Sequence, residues 1–210
     1  MFRKISILFI CLSLFSFLSC NNANNNTKNA KNSNSVEIKK GVAPVADNEI
    51  AVIEMEQPVF GKIKIELYSN IAPKMVAQFK ELAKEGFYNG ITFHRINNSV
   101  IQGGDPLSKD GDRNNDGTGN SDKPNVPAEF SDIPFDTGFV GAARGTDNNS
   151  ANSQFFIMLK REPGFDNRYT VFGKVIEGMS NVRTISGVTP REGERPLENV
   201  VIKSITIVPR

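Results

Sequence analysis

Apolar and polar residues alternate along residues 49–57 (EIAVIEMEQ) and 61–68 (GKIKIELY), the period of a strand with one buried face. The intervening QPVFG carries turn residues, so the pair reads as an antiparallel hairpin. The period then changes. Val76, Phe79, Leu82 and Ala83 form one apolar stripe at helical spacing, Pro73 suits the first turn and Gly86 suits the stop. Residues 91–105 (ITFHRINNSVIQGGD) return to strand character. Alternation in ITFHRI predicts Ile91, Phe93 and Arg95 on one face, a turn at Asn97, Asn98 and Ser99, a second strand, and a bend at the two glycines. Residues 106–130 are rich in Gly, Asn, Asp and Pro and predict a long loop. Two further strands flank a polar loop in 136–159, and 164–169 is a short loop before the strand 171–178. Glu177 to Ser186 predicts a short helix with Val182 and Ile185 inward, and VVIKSITIV closes the chain as an alternating strand. Many short strands and two helices, without an internal repeat, predict an all-β barrel or sandwich with helices as plugs.

The N-terminal region has neither period. Arg3 and Lys4 precede an apolar run, Ile5 to Leu18, that is short for a membrane span and reads as a secretion signal over 1–19. It ends in Phe17-Leu18-Ser19-Cys20. A small residue followed by Cys at this place resembles the lipobox of bacterial lipoproteins, which implies a lipid on Cys20. Phe17 stands where Leu is usual, and the competing reading is a plain secretory signal cut nearby. Eight asparagines in 21–35 cannot bury enough surface to fold, and 20–46 is expected to be a disordered tether. The folded domain is expected over 47–210. These features together predict a bacterial cell-envelope protein, lipid-anchored and periplasmic or surface-facing.

Composition narrows the function. The formal charge is +2, but from Asp47 onward there are 19 basic and 22 acidic residues. No basic block rises above that balance, which argues against nucleic-acid binding. Both cysteines, Cys11 and Cys20, precede the domain, so it can form no disulfide and no thiolate metal site. Asp112, Asn114, Asp116 and Gly117 match the opening of a calcium loop, but Lys123 stands at the twelfth position, and turn chemistry alone explains the composition.

The candidate chemistry lies in 93–105. Arg95 on the apolar side of a strand needs compensation; the bland alternative puts it at a sheet edge with its head in water. His94, the only histidine, reads better as a structural residue than as an acid or base. No nucleophile set is present.

FHRI at 93–96, QGGD at 102–105, SQFFI at 153–157 and VFGKV at 171–175 occur in this order. Together they resemble the cyclophilin family of peptidyl-prolyl cis-trans isomerases, over roughly Glu49 to Pro209. The resemblance implies a mainly β fold: a closed antiparallel barrel of about eight strands capped by two α-helices. It implies that proline-containing polypeptides are the partners, that no cofactor or metal is used, and that the chain acts as a monomer. It places Arg95 at the prolyl nitrogen, with Gln102 binding the substrate backbone or orienting the arginine. Phe156 becomes the floor of a proline pocket, Phe165 and Tyr169 its wall, and the backbone near Ala143 an edge for the extended substrate. Val100 and His94 border the same site. The chain departs from the family pattern in places. Residues 96–101 are one shorter than usual, Ser99 or Val100 replaces a pocket Phe, Ala142 replaces a common Met, and Tyr169 replaces a His. Gly164 stands where a Trp accompanies cyclosporin sensitivity, which predicts weak cyclosporin binding. These departures predict a shallower, less aromatic pocket. Two readings follow: an isomerase assisting exported proteins, or a lipid-anchored peptide-binding module with little catalysis.

Overall fold

The computed structural model describes residues 36–189 and 191–210. The predicted signal segment, Cys20 and the Asn-rich stretch lie outside the described residues.

The predicted hairpin is present as β1 (Glu49–Met55) and β2 (Lys62–Leu67). Ala51 pairs with Ile65 and Ile53 with Ile63, so one face of the hairpin is wholly apolar and buried. Helix α1 (Pro73–Lys84) follows, with Met75, Val76, Phe79, Leu82 and Ala83 buried. Ala72 precedes it and offers no capping side chain. The free amides of Lys74 and Met75 donate instead to the two carboxylate oxygens of Glu129, at 3.1 and 3.0 Å. That carboxylate belongs to the long loop and also answers the positive end of the helix dipole.

Next come β3 (Arg95–Ile96), β4 (Val100–Gly103), β5 (Phe139–Ala142), β6 (Phe155–Met158), β7 (Val171–Glu177) and helix α2 (Met179–Ser186). A small hairpin, β8 (Arg191–Glu192) with β9 (Arg195–Pro196), precedes the last strand, β10 (Ile202–Pro209). Eight strands form one antiparallel curled sheet in the order β10-β1-β2-β7-β5-β6-β4-β3. The edges of the sheet meet where Thr92 bridges Val201, and Phe93 N–H donates to the Val200 carbonyl at 2.9 Å. The expected antiparallel barrel of eight strands with two helices is present as a curled sheet, and its ends join through a few irregular bonds. The reading of 91–96 as one alternating strand is corrected. Residues 91–94 are all buried, pressed between the core and residues 200–202, and pairing with β4 begins only at Arg95.

The core is aromatic and aliphatic. Phe79 on α1 meets Tyr88, Phe155 and Phe172 at ring separations of 5.3, 5.7 and 5.3 Å. α2 turns Val182 and Ile185 inward, as the sequence predicts.

The N-terminal boundary lies earlier than 47. Lys39 N–H donates to the Phe130 carbonyl, and the Lys39 carbonyl accepts from Asp132 N–H. Lys39 Nζ reaches the Ile71 carbonyl at 2.6 Å, and Val45 N–H donates to Asn70 Oδ1 at 3.0 Å. Residues 39–45, expected in the tether, form a strap against the domain.

Candidate active site

Strand register assembles the site. Arg95 on β3 lies opposite Gln102 on β4, Gln102 opposite Phe156 on β6, and Phe156 opposite Gly141 on β5. Directly opposed residues share a face, so these four form one row across four strands. Gly141 lies beneath Phe156 where nothing larger fits: a Cβ there would lie 2.3 Å from Phe156 Cζ. Gly104, just after β4, has φ +93°, and a Cβ there would meet the Ser153 carbonyl at 2.4 Å. The second glycine of QGGD therefore permits both the bend and the close passage of the chain.

Hydrogen bonds fix the direction of the row. Gln154 donates through Nε2 to the carbonyls of Gly117 (3.1 Å) and Gly119 (2.9 Å). Its Oε1 must then face Gln102, whose Nε2 donates to it at 3.0 Å. Gln102 is left with Oε1 toward Arg95, and Arg95 Nη1 donates to it at 3.1 Å. The orientation of the arginine is thus set from the long loop through two amides. Gln154 is buried and was not singled out from the sequence; its place in SQFFI, next to two phenylalanines, was the available signal.

A cavity of about 420 Å³ opens over this row, bordered by Arg95, Val100, Gln102, Phe156, Phe165 and Tyr169. His94 and Ala143 reach its rim. The fold is one that solved cyclophilins share: the Cryptosporidium parvum cyclophilin-type isomerase, solved in the presence of the dipeptide Ala-Pro, superposes with a TM-score of 0.68 at 26% identity, over 77% of this chain and 99% of that one. Residues 51–207 match the family described as cyclophilin type peptidyl-prolyl cis-trans isomerase/CLD. This chain belongs to the cyclophilin family. It is a peptidyl-prolyl cis-trans isomerase. A probable peptidyl-prolyl cis-trans isomerase of Brucella suis is 47% identical over 148 residues, 68% of this chain and 74% of that protein. The Schizosaccharomyces pombe isomerase ppi1 is 37% identical over 158 residues, 72% of this chain and 96% of its own length.

In this cyclophilin the aromatic residues that line the cavity are Phe156, Phe165 and Tyr169. Phe156 meets Phe165 at 5.4 Å and Tyr169 at 5.5 Å, both edge-on. Phe135, from the loop before β5, lies 5.7 Å from Phe156 and supports it from below. No short motif marked Phe135, because it reaches the site from a distant irregular segment. The Arg144 guanidinium covers Tyr169 at 4.8 Å from the ring centre. Val100 is buried at the cavity wall. Ala142 pairs with Phe155 and packs in the main core, so the missing Met there does not open the pocket.

Arg95 is not on the apolar side of a strand. Its side chain is 45% exposed, which is the edge position with the head toward water. Ala143 N–H is already donated to the Gln154 carbonyl at 2.9 Å, so pairing with an extended substrate there has to use other backbone groups. His94 is 5% exposed, and burial pushes its pKa down to about 4, against the opposing pull of Asp105. It is neutral at pH 7.

The loop that resembles a calcium site is closed by its own bonds. Asp112 Oδ1 accepts from Asn114 N–H at 3.0 Å, and Asp116 is ion-paired with Arg195. Among the described residues no group of three His, Cys, Asp or Glu side chains is placed to hold a metal ion.

Proposed function

We propose that this isomerase acts on X–Pro bonds of exported polypeptides at the bacterial cell envelope, as a single chain anchored through a lipid on Cys20, and that Arg95 supplies the catalytic cation. The chemistry asks little. Resonance opposes rotation of the amide with a barrier of about 20 kcal/mol. In the twisted amide the prolyl nitrogen gains a lone pair, and a fixed donor aimed at it stabilises that state above both planar ones. An arginine suits this task, because its guanidinium is a planar cation with several rigidly placed donors. The proline ring would rest on Phe156 between Phe165 and Tyr169, with Val100 at the side and Gln102 holding the arginine. No bond is broken, so no nucleophile or cofactor is called for.

The observation that carries the role of Arg95 is its hydrogen bond to Gln102, directly beside the Phe156 floor. The envelope location rests on the basic start, the apolar run and the Ser19-Cys20 junction, together with a cysteine-free domain.

The test is a protease-coupled assay of Ala-Pro and Leu-Pro tetrapeptides with the full-length chain in mild detergent. Arg95→Ala is expected to lower kcat/KM by about 100-fold or more, the usual scale for removing one transition-state donor. Equal rates for Arg95→Ala and the unaltered protein, with unchanged circular dichroism, would remove Arg95 from the mechanism. Near-background rates for both would favour a peptide-holding role.

A further inference from the structure

Glu194 touches the arginine of the site and carries no sequence signal of its own. It lies at the tip of the β8–β9 hairpin. Its Oε2 accepts from Arg95 Nε, and its Oε1 accepts from Asn97 Nδ2 at 2.9 Å. Its backbone carbonyl accepts from Ile96 N–H at 2.6 Å. One residue therefore holds three consecutive residues, 95 to 97. The hairpin is itself fixed from the other side. Arg113 donates to the carbonyls of Pro196 (3.1 Å) and Leu197, and Arg195 is ion-paired with Asp116.

An arginine has five N–H donors in one plane. Gln102 takes one on Nη1 and Glu194 takes Nε. These contacts lie on different edges of the guanidinium, so together they fix its plane as well as its position. Such a constraint is needed here, because a side chain that is 45% exposed is otherwise free to leave the site. We propose that Glu194 is a positioning residue for the isomerisation: it locks the Arg95 guanidinium from the Nε edge, leaving Nη2 for the twisted prolyl amide. The inference rests on the reading of Arg95 as the catalytic cation. A lid that competes with substrate is the opposing reading. The geometry speaks against it, since the carboxylate takes Nε and leaves Nη2, while Asn97 holds its second oxygen.

The experiment compares Glu194→Ala, Glu194→Gln, Arg95→Ala and the Arg95→Ala/Glu194→Ala pair in the full-length chain, using the Ala-Pro tetrapeptide. Glu194→Ala is expected to lower kcat about tenfold, with KM changed by less than about twofold, as for a donor that is loosened but not removed. Glu194→Gln restores most of kcat, because its amide oxygen accepts the same bond. In the Arg95→Ala background the Glu194 substitution changes nothing further. The Arg95 Nε–H nitrogen resonance is slowly exchanging in the unaltered protein and in Glu194→Gln, and broadened in Glu194→Ala. An inactive Arg95→Ala beside a fully active Glu194→Ala overturns the role of Glu194 and leaves that of Arg95 standing. A rise in kcat on Glu194→Ala overturns it in favour of a lid. A loss that persists in the Arg95→Ala background, or is equal in Glu194→Gln, marks damage to the hairpin and also overturns it. Full activity in Arg95→Ala removes the premise for both residues.

Discussion

His94 stands beside Arg95 in sequence yet serves the fold by being neutral. Its folded pKa of about 4 lies below the reference value of 6.5, with burial as the first cause. The unfolded chain therefore binds the extra proton more readily, and stability is full above about pH 6.5 and falls as the pH drops toward 4. His94 is the one histidine of the chain, so no other side chain has its reference pKa between pH 5 and 7. Urea unfolding is expected to show a loss of about 2 kcal/mol between pH 7 and pH 5. A flat profile over that range would contradict the burial of this ring. At this scale the sequence spoke through short motifs. FHRI and QGGD named Arg95 and Gln102, and SQFFI named Phe156. Gln154, Phe135 and Glu194 stayed silent, because what each does depends on a partner 35 or more residues away or on a distant ring.

Among the elements, alternation and helical spacing located β1, β2, α1, β10 and α2 well, since each buries one face against the core. The same signal failed at 91–94, where both faces are covered and burial is continuous. It failed again at 39–45. The Asn-rich composition stops at residue 35, and VEIKKGVAPVA at 36–46 mixes apolar residues without a period. That strap is held by backbone bonds to Phe130, Asp132 and Asn70, which no local pattern encodes. A chain beginning at Asp47 should therefore be less stable than one beginning at Val36, by about 1–3 kcal/mol for the several hydrogen bonds lost. Coincident urea transitions for the two chains would show that the strap contributes nothing.

For the whole molecule, the proposed lipid anchor is a claim about residues that precede the described domain. If Cys20 carries the anchor, Cys20→Ser moves the protein from the membrane pellet to the soluble fraction of cells expressing the full chain, and removes incorporation of labelled palmitate. Catalysis by the Cys20→Ser protein should be unchanged, because the row from Arg95 to Gly141 lies wholly within the domain. Retention in the membrane after the substitution would sink the lipid anchor.

By itself the sequence determined the strand and helix periods, the apolar core and a domain without cysteine, and its short motifs carried the family resemblance. These are local properties, written in spacing and in side-chain chemistry. Only the tertiary structure decided which residues meet. The register of β3, β4, β6 and β5 brought Arg95, Gln102, Phe156 and Gly141 into one row. The long loop set the direction of two amides through Gly117 and Gly119. The β8–β9 hairpin, nearly a hundred residues downstream, put a carboxylate on the arginine. Pairing across such separations is fixed by packing of the whole sheet, and no short stretch of chain contains it.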